Sequence, residues 1–390
     1  MISNFDLLSC RRDNETLIAW VVEVELFGGN FMRSMLLLGA LLFIPLAAVA
    51  QVSEATYPKV DTFLGEKLGV TEIEDAIALV ASLSAKIRAE YIAGGARRDA
   101  HPKAHGCVKA EVQFDDALPE RLAHGVFKSN ARYAAVIRFS NGSPDAAGDD
   151  KKGDTRGMAI KLFGVGGEKL LSDPGAGNVH DFILISSPSF FVNDAHGYTD
   201  FFERVNSGEL SRLFKIPFIL GWQGTKNAYN MLSQTIANPL HSTYFSVTPY
   251  QLGLGDDRHP VKYSARPCSA ISEDVPEDAG KNFLRHAMQD SLNKGAACMQ
   301  FMVQSPTTKM SVEDVITPWD EAQAPFVRVA KITIPAQVFD TAKQNEACEN
   351  LSYNPWRALP AHRPLGTINR MRRVVYEAIS ELRHGMNGAE

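Results

Sequence analysis

Three polar residues near the C-terminus have a spacing that could form a metal site on one face of a helix. In the segment INRMRRVVYEAISELRHG, a rotation of about 100° per residue brings Arg372, Tyr376 and Arg383 within about 40° of one another. An apolar stripe runs beside them, formed by Met371, Val375, Ile379 and Leu382. Nearby guanidinium groups favour the ionised form of a phenol, and a buried phenolate needs a cation such as a metal. The alternative for this segment is a packed tyrosine between solvated arginines.

A second group of residues, suited to proton transfer and anion binding, surrounds one predicted strand. Arg98 precedes His101 by three residues in RDAHPKAHGCVKAEV, and the strand AAVIRFS carries Arg138 and Ser140. The segment DTRG, residues 154–157, leads into the next strand. A neutral histidine takes up and returns protons near neutral pH, and arginine binds carboxylates through paired, charge-assisted hydrogen bonds. A weaker alternative pairs His101 with His105 as metal ligands, but Pro102 and Gly106 disfavour the helix that this spacing requires.

Short segments with alternating or β-branched residues predict the elements that position these groups. Eight strands are predicted, at residues 108–114, 134–139, 158–163, 182–186, 244–252, 260–265, 298–304 and 326–334. Loops and a few helices separate them, without regular crossovers, which is typical of an antiparallel sheet or closed barrel rather than a doubly wound fold. The predicted class is α+β.

Helical periodicity predicts helices on both sides of these strands. The sequence TEIE after Gly69 and Val70 resembles a capping box, and an apolar face follows it. That face consists of Ile73, Ala76, Ile77, Val80, Leu83, Ile87 and Tyr91. Further helices are predicted at residues 197–206, 209–220, 226–237, 276–293 and 369–384. No linker interrupts the pattern, so residues 51–390 are predicted to form a single domain.

The composition and the N-terminus indicate an exported globular protein. With 45% hydrophobic and 22% charged residues the chain can form a sizeable core, and a net charge of -5 without a long basic run argues against nucleic acid as the main partner. Residues 32–50, MRSMLLLGALLFIPLAAVA, have the form of a signal peptide, so residues 1–31 are a doubtful extension. We expect a periplasmic or secreted mature protein without stable membrane insertion; an uncleaved signal anchor is the alternative. Four cysteines (Cys107, Cys268, Cys298 and Cys348) would remain, and their spacing leaves the disulfide pairing open.

Taken together, these motifs resemble the haem-dependent catalase superfamily. The resemblance covers most of residues 95–385, discontinuously. The Arg-x-x-His, Arg-Phe-Ser and Asp-x-Arg-Gly motifs match in order, at His101, at 138–140 and at 154–157. The Arg-x-x-x-Tyr of the family's proximal helix matches Arg372 and Tyr376.

The resemblance implies an eight-stranded antiparallel β-barrel with surrounding helices and a haem b cofactor. Tyr376 would be the axial phenolate ligand of the iron, a ligand type known from catalase, and Arg372 would keep its oxygen deprotonated. The arginines that bind the haem carboxylates would be Arg98, Arg138 and Arg383. His101 would be the catalytic base, with Ser140 hydrogen-bonded to its other ring nitrogen. A core role and a place near the haem both stay open for Phe190, Phe191 and Tyr198.

One position departs from the family pattern. Ile185 stands where the family has a distal asparagine, five residues before the first phenylalanine of the Phe190–Phe191 pair. Loss of a donor aimed at bound peroxide costs on the order of 10²–10³ in rate by analogy with oxyanion holes, and an apolar residue favours less polar substrates. The chain also lacks the long N-terminal arm and C-terminal extension of large catalases, which leaves the oligomeric state open, a homo-oligomer included.

The sequence therefore predicts a haem peroxidase or catalase-like oxidoreductase that acts on hydrogen peroxide or organic hydroperoxides with a small-molecule electron donor. One alternative is a hydroperoxide isomerase or lyase resembling the allene oxide synthases. The other is a haem-binding protein with little catalysis. The presence of His101 and Ser140 argues against the last, since binding alone needs no distal base.

Overall fold

The computed structural model describes residues 56–92, 95–171, 177–207 and 213–388, together with two short N-terminal strands. These strands, β1 (Ser9–Arg12) and β2 (Glu15–Ile18), pair antiparallel within a first unit, Met1–Ala47. All other elements belong to a second unit, Ala48–Glu390. The predicted signal peptide lies outside the described residues, and so do residues 209–212 of one predicted helix.

Nine strands of the second unit form one antiparallel sheet. They are β3 (Ala104–Phe114), β4 (Arg132–Asn141), β5 (Arg156–Phe163), β6 (Val179–Ile185), β7 (Tyr244–Phe245), β8 (Tyr250–Leu252), β9 (His259–Pro267), β10 (Ala297–Gln304) and β11 (Val327–Ile334). The order β10-β11-β3-β4-β5-β6-β7-β9, with a further pairing of β9 to β10, closes eight strands into a barrel, and β8 adds to β9 outside the ring. The predicted α+β class and eight-stranded barrel are confirmed.

Alternating residues of these strands fill the barrel. Inward-facing members of the main core include Val108, Ile137, Phe139, Met158, Ile160, Phe182, Leu184, Phe301 and Val329, all nearly inaccessible. Because side chains alternate along a strand, the residues between them point outwards. Arg138, Ser140, Gly157 and Ile185 occupy such outward positions, on the wall of the barrel rather than in its interior.

The predicted strand at 244–252 is broken into β7 and β8. Val247 adopts a positive φ of 61° in the break, which is rare for a β-branched residue. The bend places the Thr248 hydroxyl 3.0 Å from Asn369 Oδ1. An irregularity in the sheet thus contacts the C-terminal helix that carries Tyr376.

Six α-helices of the described residues surround the barrel. They are α1 (Glu72–Glu90), α2 (Ala195–Ser207), α3 (Ile216–Ser233), α4 (Phe283–Lys294), α5 (Ala342–Asn350) and α6 (Thr367–Asn387). Helices α1, α2 and α6 pack together in a second apolar cluster. None of the described helices is long and apolar enough to cross a membrane.

Several details of the predicted helices were wrong. The predicted helices at 209–220 and 226–237 are, in their described part, one helix, α3, interrupted at Gly221 (φ 63°, ψ −175°). Thr71 begins α1 but does not form a capping box, since its hydroxyl is 2.7 Å from Asp75 Oδ2. On the α1 face, Ile77 is exposed, whereas Leu79 is fully buried.

Covalent and ionic bonds hold the C-terminal elements to the rest. Disulfides join Cys107 to Cys348 and Cys268 to Cys298, which resolves the pairing that the sequence left open. The first connects β3 with α5. Arg370 is fully buried at the start of α6, where charge-assisted hydrogen bonds of 2.6–2.9 Å join it to carboxylates including Glu72. These bonds fix α6 against the N-terminal segment of the domain.

Candidate functional site

His101 lies just before β3 and is held in an unusual backbone conformation. Its φ is 60°, and its amide donates to Gly142 O at 3.3 Å. Left-handed backbone is uncommon outside glycine and is concentrated at functional sites. The ring Nδ1 lies 3.1 Å from Ser140 Oγ, so the predicted pair is brought together. With Nδ1 bonded to the serine, Nε2 is the nitrogen left for proton transfer.

The electrostatic surroundings keep His101 neutral. Burial, followed by the positive charges of Arg138, Arg372 and Arg98, lowers the pKa of His101 to about 4. The Arg138 guanidinium also donates to His101 O at 2.8 Å. A histidine of this pKa is a proton acceptor throughout the neutral range.

Three residues that pair across neighbouring strands form the wall beside His101. Ser140, Gly157 and Ile185 are register partners on β4, β5 and β6, so their side chains share one face. A Cβ at Gly157 would lie 2.6 Å from His101 Nδ1 and 2.7 Å from Ser140 Oγ. Only glycine therefore fits beneath the histidine ring, and Ile185, next along the row, contributes to the same wall.

Two largely buried arginines, Arg98 and Arg383, bind one segment of backbone, and the buried Arg138 lies near them. Arg98 is 2.9 Å from a carboxylate oxygen of Glu349, and Arg383 donates to Glu349 O at 2.6 Å. Both also donate to Leu351 O. The Arg138 Nε has no hydrogen-bond partner among the described residues. Burial, with the neighbouring guanidinium groups, lowers the pKa of Arg138 to about 9 and of Arg383 to about 10.

This arginine cluster has more cations than anions. Within the part of the chain that the structure describes, Glu349 is the only carboxylate in ion-pair distance of Arg98 and Arg383, and Arg138 has none. Desolvated, mutually repelling guanidinium groups are stabilised by an anion that accepts their hydrogen bonds. The donors of this cluster therefore suit a carboxylate-bearing group.

Tyr353 is a residue of this site that the sequence did not indicate. Its hydroxyl is buried and has no hydrogen-bond partner among the described residues. Burial, then Asp181, raises the pKa of Tyr353, while Arg138 and Arg98 act in the opposite direction. A neutral phenol beside the arginine cluster can donate one more hydrogen bond to an anion there. No motif in SYNPW would have revealed this role.

Tyr376 receives two hydrogen bonds from Arg372, through Nε at 3.2 Å and Nη2 at 3.1 Å. The same guanidinium group is within 3.2 Å of Asn369 Oδ1 and 3.4 Å of Thr248 Oγ1. Burial lowers the pKa of Arg372, but Tyr376 and Tyr250 more than offset this, so the pKa is raised. The phenol oxygen therefore accepts two charge-assisted hydrogen bonds.

The two arginines of the predicted helical stripe serve different groups. Arg372 contacts the Tyr376 oxygen, whereas Arg383 contacts the carbonyls of Glu349 and Leu351. The expectation that the phenol lies between two guanidinium groups was wrong. Helix α6 instead carries a phenol bound by a cation and, two turns further on, a member of the arginine cluster.

Apolar and aromatic side chains form another wall of the site. Ile185, Phe190, Phe191 and Tyr198 belong to one apolar cluster. The rings of Phe190 and Phe191 are 4.3 Å apart, and those of Phe190 and Tyr198 are 5.8 Å apart. Burial, and then the nearby Tyr376, raises the pKa of Tyr198. Tyr198 therefore lies close to the phenol of α6.

The histidine pair considered from the sequence has no further support. His105 lies within β3, and its Nδ1 is 3.8 Å from Asp150 Oδ2. No group of three or more histidine, cysteine, aspartate or glutamate side chains suited to a metal occurs among the described residues.

Comparisons with known proteins bear on the fold. No family model matches the sequence, and no curated protein matches it. Solved structures do match: a fungal catalase (17% identity, TM-score 0.54, 74% of this chain and 59% of that one) and catalase A from Saccharomyces cerevisiae (17%, 0.54, 75% and 63%). A bacterial catalase matches at 15% identity and TM-score 0.53, over 85% of this chain and 64% of that one.

The chain therefore has a catalase-like fold. It spans about 59–64% of the length of these catalases. At this level of identity the likeness concerns the fold alone.

Proposed function

We propose that this protein binds haem b and acts as a peroxidase or catalase-like oxidoreductase on hydrogen peroxide or organic hydroperoxides. The observation that carries the proposal is the pairing, on one catalase-like scaffold, of a phenol oxygen bound by a cation and a neutral histidine bound by serine. A protein that only carried haem would need the first of these groups but not the second.

The donor set of the site fits haem. The two carboxylates of haem suit the arginine cluster, where the Arg138 Nε and the Tyr353 hydroxyl lack hydrogen-bond partners among the described residues. Arg98 and Arg383 would share these carboxylates. Tyr376 would supply an anionic oxygen to the iron. When bound, haem would supply the redox centre at which the peroxide O–O bond is cleaved.

The chain's own residues would carry out the proton transfer. His101 Nε2 accepts the proton of the peroxide and returns it to the departing oxygen, which needs a neutral imidazole. Ser140 holds Nδ1, and Arg138 holds the His101 carbonyl, so the ring keeps its position through the transfer. Reduction of a hydroperoxide to an alcohol and water consumes two electrons and two protons, and a small-molecule donor, or a second peroxide, supplies the electrons.

Ile185 favours organic hydroperoxides over hydrogen peroxide as substrates. Its side chain follows Ser140 and Gly157 in the same row and joins the apolar cluster with Phe190. An apolar wall binds an alkyl chain and offers no hydrogen bond to a small polar peroxide. The same observation supports the second candidate function, a hydroperoxide isomerase or lyase, which needs no external electron donor.

Purified protein loaded with haem tests the proposal. We expect one haem per chain, a spectrum typical of a phenolate ligand, and a rapid absorbance change on adding cumene hydroperoxide or a fatty-acid hydroperoxide. Consumption of the fatty-acid hydroperoxide without an electron donor would select the isomerase. A haem complex that no peroxide alters would leave only haem carriage, and absence of haem binding would refute the proposal.

Replacing Ile185 by asparagine should raise the turnover of hydrogen peroxide relative to a fatty-acid hydroperoxide. The amide would add a donor to the wall beside His101, and we expect the ratio to rise by about 10-fold or more. Both initial rates are measured on the same preparation. A fall in the ratio would mean that Ile185 does not face the reacting peroxide.

Replacing Gly157 by alanine should damage the site while preserving the barrel. The added methyl group would lie within 2.9 Å of three atoms of the His101 and Ser140 side chains, so the ring must move. We expect the rate of peroxide consumption to fall by about 10²-fold, with an unchanged circular dichroism spectrum. Gly166 is the matched control, since nothing lies within 4 Å of a Cβ there. An active Gly157→Ala variant would show that His101 acts from another position.

A further inference from the structure

Helix α3 exposes an unusual number of large apolar side chains. Phe218 and Trp222 are 88% and 85% exposed, and Tyr229 and Leu232 are 70% and 66% exposed. Phe214, just before the helix, is 71% exposed. We call these five residues the aromatic stripe. Single exposed apolar residues are ordinary, whereas a run along one element marks an interaction surface.

Contacts made by the opposite face of α3 keep the aromatic stripe turned towards solvent. A Cβ at Gly224 would lie 2.3 Å from Phe191 O, so the helix rests directly on the Phe190–Phe191 backbone. Asn227, which is buried, donates to Phe190 O at 2.7 Å and to Ile316 O at 2.8 Å. The helix therefore cannot turn its stripe inwards without breaking these contacts. It stands between the surface and the apolar wall of the site.

The charged residues of the helix segment itself have one sign. Residues 213–233 contain no aspartate or glutamate, although the chain has 45 acidic residues and a net charge of -5. Lys215 and Lys226 are exposed in this segment, and Lys151 and Lys152 are exposed in the loop whose Gly153 packs on Leu232 O. Aromatic rings flanked by lysines are typical of helices that lie in the interface of a lipid bilayer.

We propose that the aromatic stripe docks this protein onto the surface of an anionic lipid bilayer. The interaction is peripheral, since α3 is kinked at Gly221 and none of the described helices could span a membrane. A two-fold contact between two copies would instead set the same lysines against each other. Together with the proposed function, docking would deliver lipid hydroperoxides to the wall formed by Phe190 and Ile185.

Vesicle binding tests the docking without reference to haem. With mixed phosphatidylcholine and phosphatidylglycerol vesicles, we expect co-sedimentation and a blue shift of tryptophan emission. Trp319 and Trp356 are only 5% and 4% exposed, and the fourth tryptophan, Trp20, lies outside the described residues and is kept in every variant. The part of the shift that comes from Trp222 should vanish in Trp222→Phe. Phe218→Ser combined with Trp222→Ser should weaken binding by about 10-fold or more. Lys226→Glu should weaken it by about 10-fold on these vesicles but little on pure phosphatidylcholine.

Val338 provides the matched control, because it is 70% exposed and lies outside the stripe. Val338→Ser should bind vesicles like the unchanged protein. Unaltered binding by the stripe variants, with folding verified by circular dichroism, would overturn the proposal. A stripe-dependent dimer in sedimentation velocity without vesicles would also overturn it, in favour of a second copy.

The docking proposal and the proposed haem function can be refuted independently of each other. Tyr376→Phe should still bind vesicles, whatever the fate of haem. If both proposals hold, the double stripe variant should lose activity on a hydroperoxide embedded in vesicles while keeping its rate with cumene hydroperoxide in solution. Equal losses on both substrates would show that the stripe supports the site rather than docking.

Discussion

Replacing Tyr376 by phenylalanine should abolish stable haem binding while the domain stays folded. The change removes the oxygen that accepts both hydrogen bonds from Arg372, and with it the only anionic ligand proposed for the iron. Partners of a ligand are worth 10–100-fold in metal affinity, so loss of the ligand itself should cost at least about 100-fold. Haem titration followed by absorbance measures the affinity. The apolar packing of α6 changes little, and the melting temperature of the haem-free protein should shift by only a few degrees.

Arg372→Leu is the companion variant that separates ligation from packing. Here the phenol remains but loses its cationic donor, so haem should stay bound while the iron becomes easier to reduce. Spectroelectrochemical titration gives the reduction potential of each form. A fully loaded Tyr376→Phe protein with an unaltered spectrum would contradict the ligand assignment. So would identical behaviour of the two variants, because a tyrosine that only packs predicts no effect on the iron.

Replacing His101 by alanine should slow the reaction with peroxide by about 10²-fold or more without loss of haem. The imidazole is the only group proposed to move the proton, and its neighbours Arg138 and Arg98 remain charged. Rapid-mixing absorbance spectra report the rate. Ser140→Ala is the graded control, since it removes the Nδ1 partner but keeps the base, and it should cost less. An unchanged rate in His101→Ala would make the histidine a bystander.

The lowered pKa of His101 also sets the pH dependence. Burial and then Arg138 lower the pKa from 6.5 to about 4, so the base stays neutral and the rate should be flat down to about pH 5 and fall near pH 4. The unfolded chain binds the proton near pH 6.5 and the folded chain does not. The contribution of His101 to stability is thus complete above about pH 6.5 and is lost as the pH falls towards 4. In His101→Ala this part of the pH dependence of unfolding should disappear.

The barrel was predictable because its strands follow a simple rule. Each of the eight predicted segments coincides with strands of the sheet, since alternation is imposed by one face packing into the barrel. The break at Val247 follows from tertiary contacts with α6, which a local pattern does not contain. Helix α5 was missed because Cys348 is its only buried residue, and a helix held by a disulfide needs no apolar stripe.

The sequence predicted some contacts among the candidate site residues and missed others. The motif spacing identified His101 and Ser140, which are in hydrogen-bond contact, and the helical period identified Arg372 as the partner of Tyr376. The same period gave a wrong position for Arg383 relative to Tyr376. It fixes only the direction around the helix, whereas seven residues also separate the two side chains by about 10 Å along the helix axis. Tyr353 became visible only through its missing hydrogen-bond partner, a property of the fold.

The disulfide between Cys107 and Cys348 couples the arginine cluster to the redox state of two thiols. Cys348 immediately precedes Glu349, whose carbonyl and carboxylate meet Arg98 and Arg383, so the bond fastens the arginine cluster to the barrel across 241 residues of chain. Closing a loop of this length lowers the conformational entropy of the unfolded chain, which stabilises the folded state by about 5 kcal/mol. A reduced chain would hold the arginines, and any carboxylate bound to them, less firmly. Under the proposed function, thiol oxidation would come before haem loading, and a chain exported as the sequence predicts would acquire its haem in the oxidising compartment.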